Sequence, residues 1–177
     1  RVPQNEIDPN QNAGALYFAE GMYIHPDDSF NGNNANNASY RRITINGTNW
    51  ALTLQGSTFQ QKPAIFAWQE HGGGVGVADP NVVLTPVDVP DDGRFWIATK
   101  VTNNGNGTWH YQYAIQNITS FRSGGSFAVP VNDAVVTGVE FRDINYHSGE
   151  PFDPTDWTKG AGAGEVNWVA PQPYSAN

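Results

Sequence analysis

The chain has 177 residues, 38 % of them hydrophobic and 12 % aromatic, and sets 9 Lys and Arg against 17 Asp and Glu for a net charge of −8. That length suits a single domain over 1–177 with a real core. The acidic balance excludes nucleic acid, whose phosphates need a basic surface, and it disfavours anionic membranes. With no cysteine, disulfides, thiolate metal sites and thiol nucleophiles are excluded as well.

Charged residues make up only 15 % of the chain, against about 25 % in ordinary soluble domains. Nineteen Asn and 19 Gly, with Ser and Thr, fill the surface instead, as is common in bacterial exoproteins. No apolar run approaches the ~20 residues of a membrane span, so no membrane insertion is expected. The chain starts at Arg1 without a signal peptide, and it reads as a processed piece of a longer secreted protein, extracellular or at the cell surface.

No helical periodicity persists anywhere, whereas period-two alternation between Gly, Asn and Pro punctuation recurs throughout. Residues 16–24 give the first strand, followed by an Asp- and Asn-rich loop over 26–38. Residues 40–45 and 50–55 are strands joined across Asn46-Gly47, which tolerates the positive φ of a type I′ turn. A short strand at 64–68 leads to His71-Gly72-Gly73-Gly74, read as a surface histidine or ligand on a mobile glycine loop. Residues 82–89 contain Pro86 and read as an edge strand.

After the turn Asp91-Asp92-Gly93, residues 95–101 and 109–117 form the clearest hairpin, closed by Asn103-Asn104-Gly105-Asn106-Gly107. Its second strand puts Trp109, Tyr111, Tyr113 and Ile115 on one face. Strands at 127–131, 135–146 and 165–169 complete the set, and 151–164 is a long Gly/Pro/Asp-rich loop. About nine or ten strands at this spacing, without a long helix, predict an all-β chain folded as an antiparallel two-sheet β-sandwich, immunoglobulin-like or jelly-roll. The expected core is Leu16, Phe18, Ile43, Trp50, Leu52, Leu54, Ile97, Trp109, Tyr111, Ile115, Phe127, Val129, Val139 and Phe141.

Three constellations can carry chemistry. His147-Ser148-Gly149-Glu150 with Asp153 and Asp156 offers an imidazole and carboxylates to a divalent ion, in a spacing that fits no zinc signature. Asp27 and Asp28, after His25-Pro26 and beside Asn31, Asn33 and Asn34, are oxygen-rich as a calcium loop would be, although the twelve-residue EF-hand pattern is absent. Trp68 and Trp157 end a strand or lie in a loop, which makes them the candidate platforms for stacking on a glycan. No Gly-x-Ser-x-Gly elbow selects a nucleophile, and the glycine run lacks the Lys-Ser/Thr of a phosphate loop.

The run Trp109-His110-Tyr111-Gln112-Tyr113-Ala114-Ile115-Gln116-Asn117 resembles a pattern in large secreted proteins of planctomycete-type bacteria. The similarity continues through Ser123-Gly124-Gly125-Ser126-Phe127-Ala128-Val129-Pro130, the stretch 141–151 and Asp156-Trp157, with upstream echoes at 14–18 and 36–41. This resemblance implies secretion and β-rich structure, and it transfers no catalytic residue. It also implies a further strand after Asn177, hence a vacant sheet edge that a second copy or another fragment of the parent protein can fill by strand addition. The expected function is therefore a non-catalytic extracellular structural or binding module. The alternatives are a carbohydrate-binding module using exposed Trp and a metal-dependent enzyme using the His147 loop.

Overall fold

A computed structural model describes residues 2–143, 155–162 and 164–172. They are mostly β, 40 % strand against 11 % helix, in three antiparallel three-stranded sheets. The chain divides into two compact units, Gln4–Phe121 and a second made of Arg122–Asn177 with Arg1–Pro3.

The first unit holds helix α1 (Gln4–Ile7), strand β1 (Tyr17–Met22), helix α2 (Pro26–Phe30), a 3-10 turn (Asn34–Asn36), β2 (Ala38–Ile45), β3 (Leu52–Leu54), α3 (Phe66–His71), β4 (Val82–Val89), β5 (Gly93–Asn103) and β6 (Trp109–Asn117). One sheet runs β1-β2-β3 and the other β4-β5-β6. The core of the first sheet centres on β2, whose Ala38, Tyr40, Ile43 and Ile45 are buried. The buried set changes parity where the partner changes, since Tyr40 bridges Phe59 while Ile43 pairs with Leu54.

The connection after β2 is not the expected two-residue turn. Asn46 Oδ1 accepts the N–H groups of Thr48 and Asn49 at 2.8 and 3.2 Å, and Trp50 N–H closes a wider loop onto Asn46 O at 2.9 Å. The positive φ falls on Trp50, at 60°. An Asn side chain that mimics a backbone turn thus displaces the Asn-Gly turn. Strand β3 shrinks to three residues, and Leu52 and Leu54, expected in the core, are exposed.

The segment 64–68 is not a strand. After Pro63, whose carbonyl accepts Phe66 N–H at 3.1 Å, the chain turns into α3, and Ala67 and His71, four residues apart, point into the core. A five-residue apolar run is too short for its period to separate strand from buried helix.

The second unit is the sheet β7-β9-β8, built from β7 (Ser126–Pro130), β8 (Thr158–Gly162) and β9 (Glu165–Val169). Val166 is buried, Phe127 packs on Trp168 at 5.8 Å, and the Trp168 indole donates to Glu140 O at 3.0 Å. Strand β8 lies in the stretch expected to be loop; at Gly160 a side chain would collide with Asn167 Oδ1 at 2.5 Å, so the two strands approach closely there. Conversely, 135–143 is irregular where a strand was expected, because the Trp168 bond to Glu140 O ties this segment by a side chain and not by a ladder.

Candidate functional site

The sheet β4-β5-β6 has two unlike faces. Its register pairs Leu84 with Ala98 and Ala98 with Ala114, placing Val82, Trp96, Ala98, Lys100 and Gln116 on one face. Helix α3 and its flanks cover that face. Phe66 meets Trp96 edge-on at 4.7 Å, Gln69 Nε2 donates to Val82 O at 2.7 Å, and Lys100 pairs with the buried Asp79 at 2.6 Å. Gln116 bridges Glu20 of β1, at 2.9 and 3.0 Å, and Ile65 N–H at 3.1 Å, while Glu20 also takes the Ala64 N–H.

The opposite face carries Val83, Thr85 and Val87 of β4, Phe95, Ile97, Thr99 and Val101 of β5, and Trp109, Tyr111, Tyr113 and Ile115 of β6. Val83, Val87, Val101, Trp109, Tyr111 and Ile115 are 38–57 % exposed. Trp109, Tyr111 and Ile115 were expected in the core, and the structure overturns this. Alternation identifies the apolar face of a strand, but α3 takes the other face because Gln116, Lys100 and Trp96 supply it with polar and aromatic partners. No Lys, Arg, Asp or Glu stands on the open face, although the chain carries a net −8.

The densest group of titratable side chains lies on the covered side. Tyr40 donates its hydroxyl to Glu70, and Lys62 donates to the other carboxylate oxygen. Burial first, then the hydrogen bond to Glu70 and its charge, push the Tyr40 phenol far above its ordinary range. His71, expected on a mobile surface loop, is instead buried among Phe18, Phe59 and Tyr40 at 5.1, 5.6 and 6.4 Å. Its Nδ1 accepts Gly76 N–H at 2.8 Å, and Nε2 has no hydrogen-bond partner among the described residues. A general acid or base must reach its substrate, and Tyr40 at 0 % and His71 at 7 % exposure are sealed from one. This cluster is structural.

The Asp79–Lys100 pair gives a pH prediction. The Lys100 hydrogen bond first, then the Asn81 N–H, hold the Asp79 carboxyl below its ordinary value of 3.8. A depressed folded-state value stabilises fully above the ordinary aspartate range and is lost as pH falls through it. Asp79→Asn is therefore expected to lower the urea midpoint at neutral pH, with the gap from the unmodified protein closing by about pH 2. A gap independent of pH would show that the carboxylate charge contributes nothing.

The sequence candidates are scattered. Asp27 and Asp28 sit in the first turn of α2, where His25 Nδ1 caps Asp27 N–H at 3.2 Å and Asn37 Nδ2 donates to Asp28 at 3.2 Å, so local bonds order the loop. His147, Glu150 and Asp153 lie outside the described residues; Asp156 is exposed. Among the described residues no three His, Asp or Glu side chains gather as a metal site, and no helix is long and apolar enough to cross a membrane. Trp68 is half-buried within α3 and not at a strand end, and Trp157 is half-buried and stacked on Phe141 at 5.6 Å.

In the second unit, a depression of about 230 Å³ lined by Val131, Asn132, Val136, Ala161 and Glu165 falls short of the ~300–1,000 Å³ of small-molecule sites. The residues that the sequence undervalued as a site are Trp109, Tyr111 and Ile115, and their signal was the absence of charge across three neighbouring strands. No protein-family model, curated protein or solved structure matches the chain, and the open face of β4-β5-β6 is left to carry the functional reading.

Proposed function

We propose that the chain is a non-catalytic extracellular structural or binding module whose working surface is the open face of β4-β5-β6, and that it assembles there with protein. One observation carries this reading: a contiguous aliphatic and aromatic face without charge, left in solvent by a strongly acidic chain. Three strands of about eight residues cover ~27 by ~14 Å, roughly 400 Å², already at the size of the largest apolar patch on a typical monomer, which is often functional. The finer architecture we propose is a two-sheet sandwich, immunoglobulin-like or jelly-roll, in which β1-β2-β3 and β4-β5-β6 are the layers; the Glu20–Gln116 and Phe66–Trp96 contacts support it.

A photo-crosslinker placed at Val101 in the secreting cells is expected to trap a second copy or a segment of the parent protein. Its yield should fall several-fold in the Val83→Thr/Val87→Thr background. Crosslinks to neither, or a yield indifferent to the valines, would remove the reading.

A glycan reading is favoured by one different observation. Trp109 and Tyr111, each more than half exposed, stand two residues apart on one face, ~6.8 Å along the strand. Glycan-array binding lost in Trp109→Ala and kept in Trp157→Ala would support it over assembly with protein.

A further inference from the structure

We propose that the free edge of β6 pairs with the same edge of a second copy, antiparallel about a two-fold axis at Tyr113. This rests on the reading of β4-β5-β6 as the working sheet and names its partner. The argument begins with parity. In an antiparallel ladder, alternate residues turn their backbone groups toward the neighbouring strand and the others away from it. At both ends of the β5–β6 pairing the bonds join even-numbered partners: Ile118 N–H donates to Arg94 O at 2.9 Å, and Asn104 N–H to Thr108 O at 3.0 Å. Both fit the register that sets Ala98 against Ala114. Trp109, Tyr111, Ile115 and Asn117 therefore direct N–H and C=O outward, at the end of the sheet.

The other edge, β4, is blunted. Its outward residues are the even-numbered ones, and there Pro86 has no N–H to offer. The Val82 carbonyl is taken by Gln69 at 2.7 Å, its N–H goes to Asp79 O at 3.2 Å, and Asp88 adds a charge held by Arg94 at 2.6 Å. These are the devices by which sheets prevent edge-to-edge pairing. Strand β6 has none of them: nine residues with no proline and no Lys, Arg, Asp or Glu.

A two-fold axis at the central residue lets the whole strand overlap with itself. Trp109 then faces Asn117, Tyr111 faces Ile115, His110 faces Gln116 and Gln112 faces Ala114. No like charges meet, and an aromatic ring lies against a β-branched side chain, a favourable cross-strand pair. Such an isologous contact is closed. Its outer edges are two blunted β4 strands, so pairing stops at a six-stranded sheet and no fibre grows. The open apolar face doubles to roughly 800 Å², the share each partner contributes to a standard protein interface. Opposing this, two copies bring together a net −8 each, so added salt should tighten the dimer by screening.

Sedimentation velocity across a concentration series tests the proposal. The expected result is a dimer that tightens with salt. Ile115→Pro deletes an outward N–H while sparing the ladder to β5, and it should weaken the dimer by about tenfold or more. Far-UV circular dichroism checks that the variant is folded. Should it unfold, Tyr111→Lys/Ile115→Lys serves instead: both side chains are already exposed, and the axis sets the lysines opposite each other, again abolishing the dimer. Val83→Thr/Val87→Thr lies away from the edge and should leave the dimer intact. A monomer at every concentration, an open polymer, or a dimer indifferent to both β6 variants would overturn the pairing. The crosslink at Val101, whose dependence on the two valines is separate from β6, would still report on the module reading.

Discussion

Tyr40→Ala is expected to destabilise the first unit by about 3–5 kcal/mol, the cost of removing a large buried ring. Tyr40 is fully buried, stacks on Phe59 at 4.8 Å with the planes 4° apart, and meets Phe18 and His71 edge-on at 5.7 and 6.4 Å. Its hydroxyl is one of two donors to the Glu70 carboxylate. Truncation both opens a cavity among three rings and removes a bond to a charged group. Tyr40→Phe keeps the rings and loses only that bond, so it should cost about 1–3 kcal/mol. Urea unfolding separates the two, and equal losses for Ala and Phe would mean that the ring packing contributes nothing. A second readout is optical. The phenol is raised above its ordinary 10.0, so its stabilisation is present in full below that value and lost as pH rises past it. One tyrosine should resist ionisation until the chain unfolds in alkali, and Tyr40→Phe should remove that delayed step.

How much of this was legible in the sequence depended on what each segment buries and against what. The hairpin of β5 and β6 was readable because it is long, alternates cleanly and closes through a loop where Gly105 and Gly107 take positive φ of 77° and 84°. The edge role of β4 was readable from Pro86 alone, since a proline has no donor for a central ladder. Alternation also named the apolar face of β6 correctly as a set. It could not say which face is covered, because that is decided by α3, a helix whose sequence Phe-Ala-Trp-Gln-Glu-His carries no distinctive period. Once α3 lies on the Trp96 and Gln116 side, the face with Trp109, Tyr111 and Ile115 is left outside.

The candidate ligands failed for a related reason. Asp27, Asp28 and the surrounding asparagines are a composition that suits calcium, but the same side chains satisfy their own backbone when the loop folds into a capped helical turn. His71 was singled out for its glycines, whereas its position is set by Ala67 one turn earlier and by three rings distant in sequence. Long-range partners of this kind, such as Glu20 with Gln116, are invisible to any local pattern. The stretch Ser123-Gly124-Gly125-Ser126 was read as a link between strands, and it follows the boundary between the two units at Phe121 and Arg122.

Gly93→Ala is the other substitution with a large expected effect, because its cost arises from backbone and not from a side chain that can turn away. Asp92 accepts Ser120 Oγ at 2.5 Å and Phe121 N–H at 2.8 Å, which folds the segment after β6 back across the turn between β4 and β5. Arg94 N–H reaches Thr119 Oγ1 at 3.0 Å in the same crossing. At Gly93 the two backbones pass so closely that a Cβ would overlap the Thr119 carbonyl and stand 2.5 Å from Ser120 N. Neither can move without breaking the Asp92 and Arg94 bonds. The expected loss is about 1–3 kcal/mol, the range for overpacking, or more where the backbone must separate. Asn117, the last residue of β6, is tied to Ser120 by bonds of 2.8 Å in both directions, so the strain is transmitted to the end of the pairing strand. Gly93→Ala should thus lower the unfolding midpoint and weaken β6-mediated dimerisation together. Gly21→Ala, where a side chain meets nothing within 4 Å, should do neither. Equal behaviour of the two glycine variants in thermal melts and in sedimentation would show that the crossing at Gly93 is loose, and would sever the proposed link between the β4–β5 turn and the β6 edge.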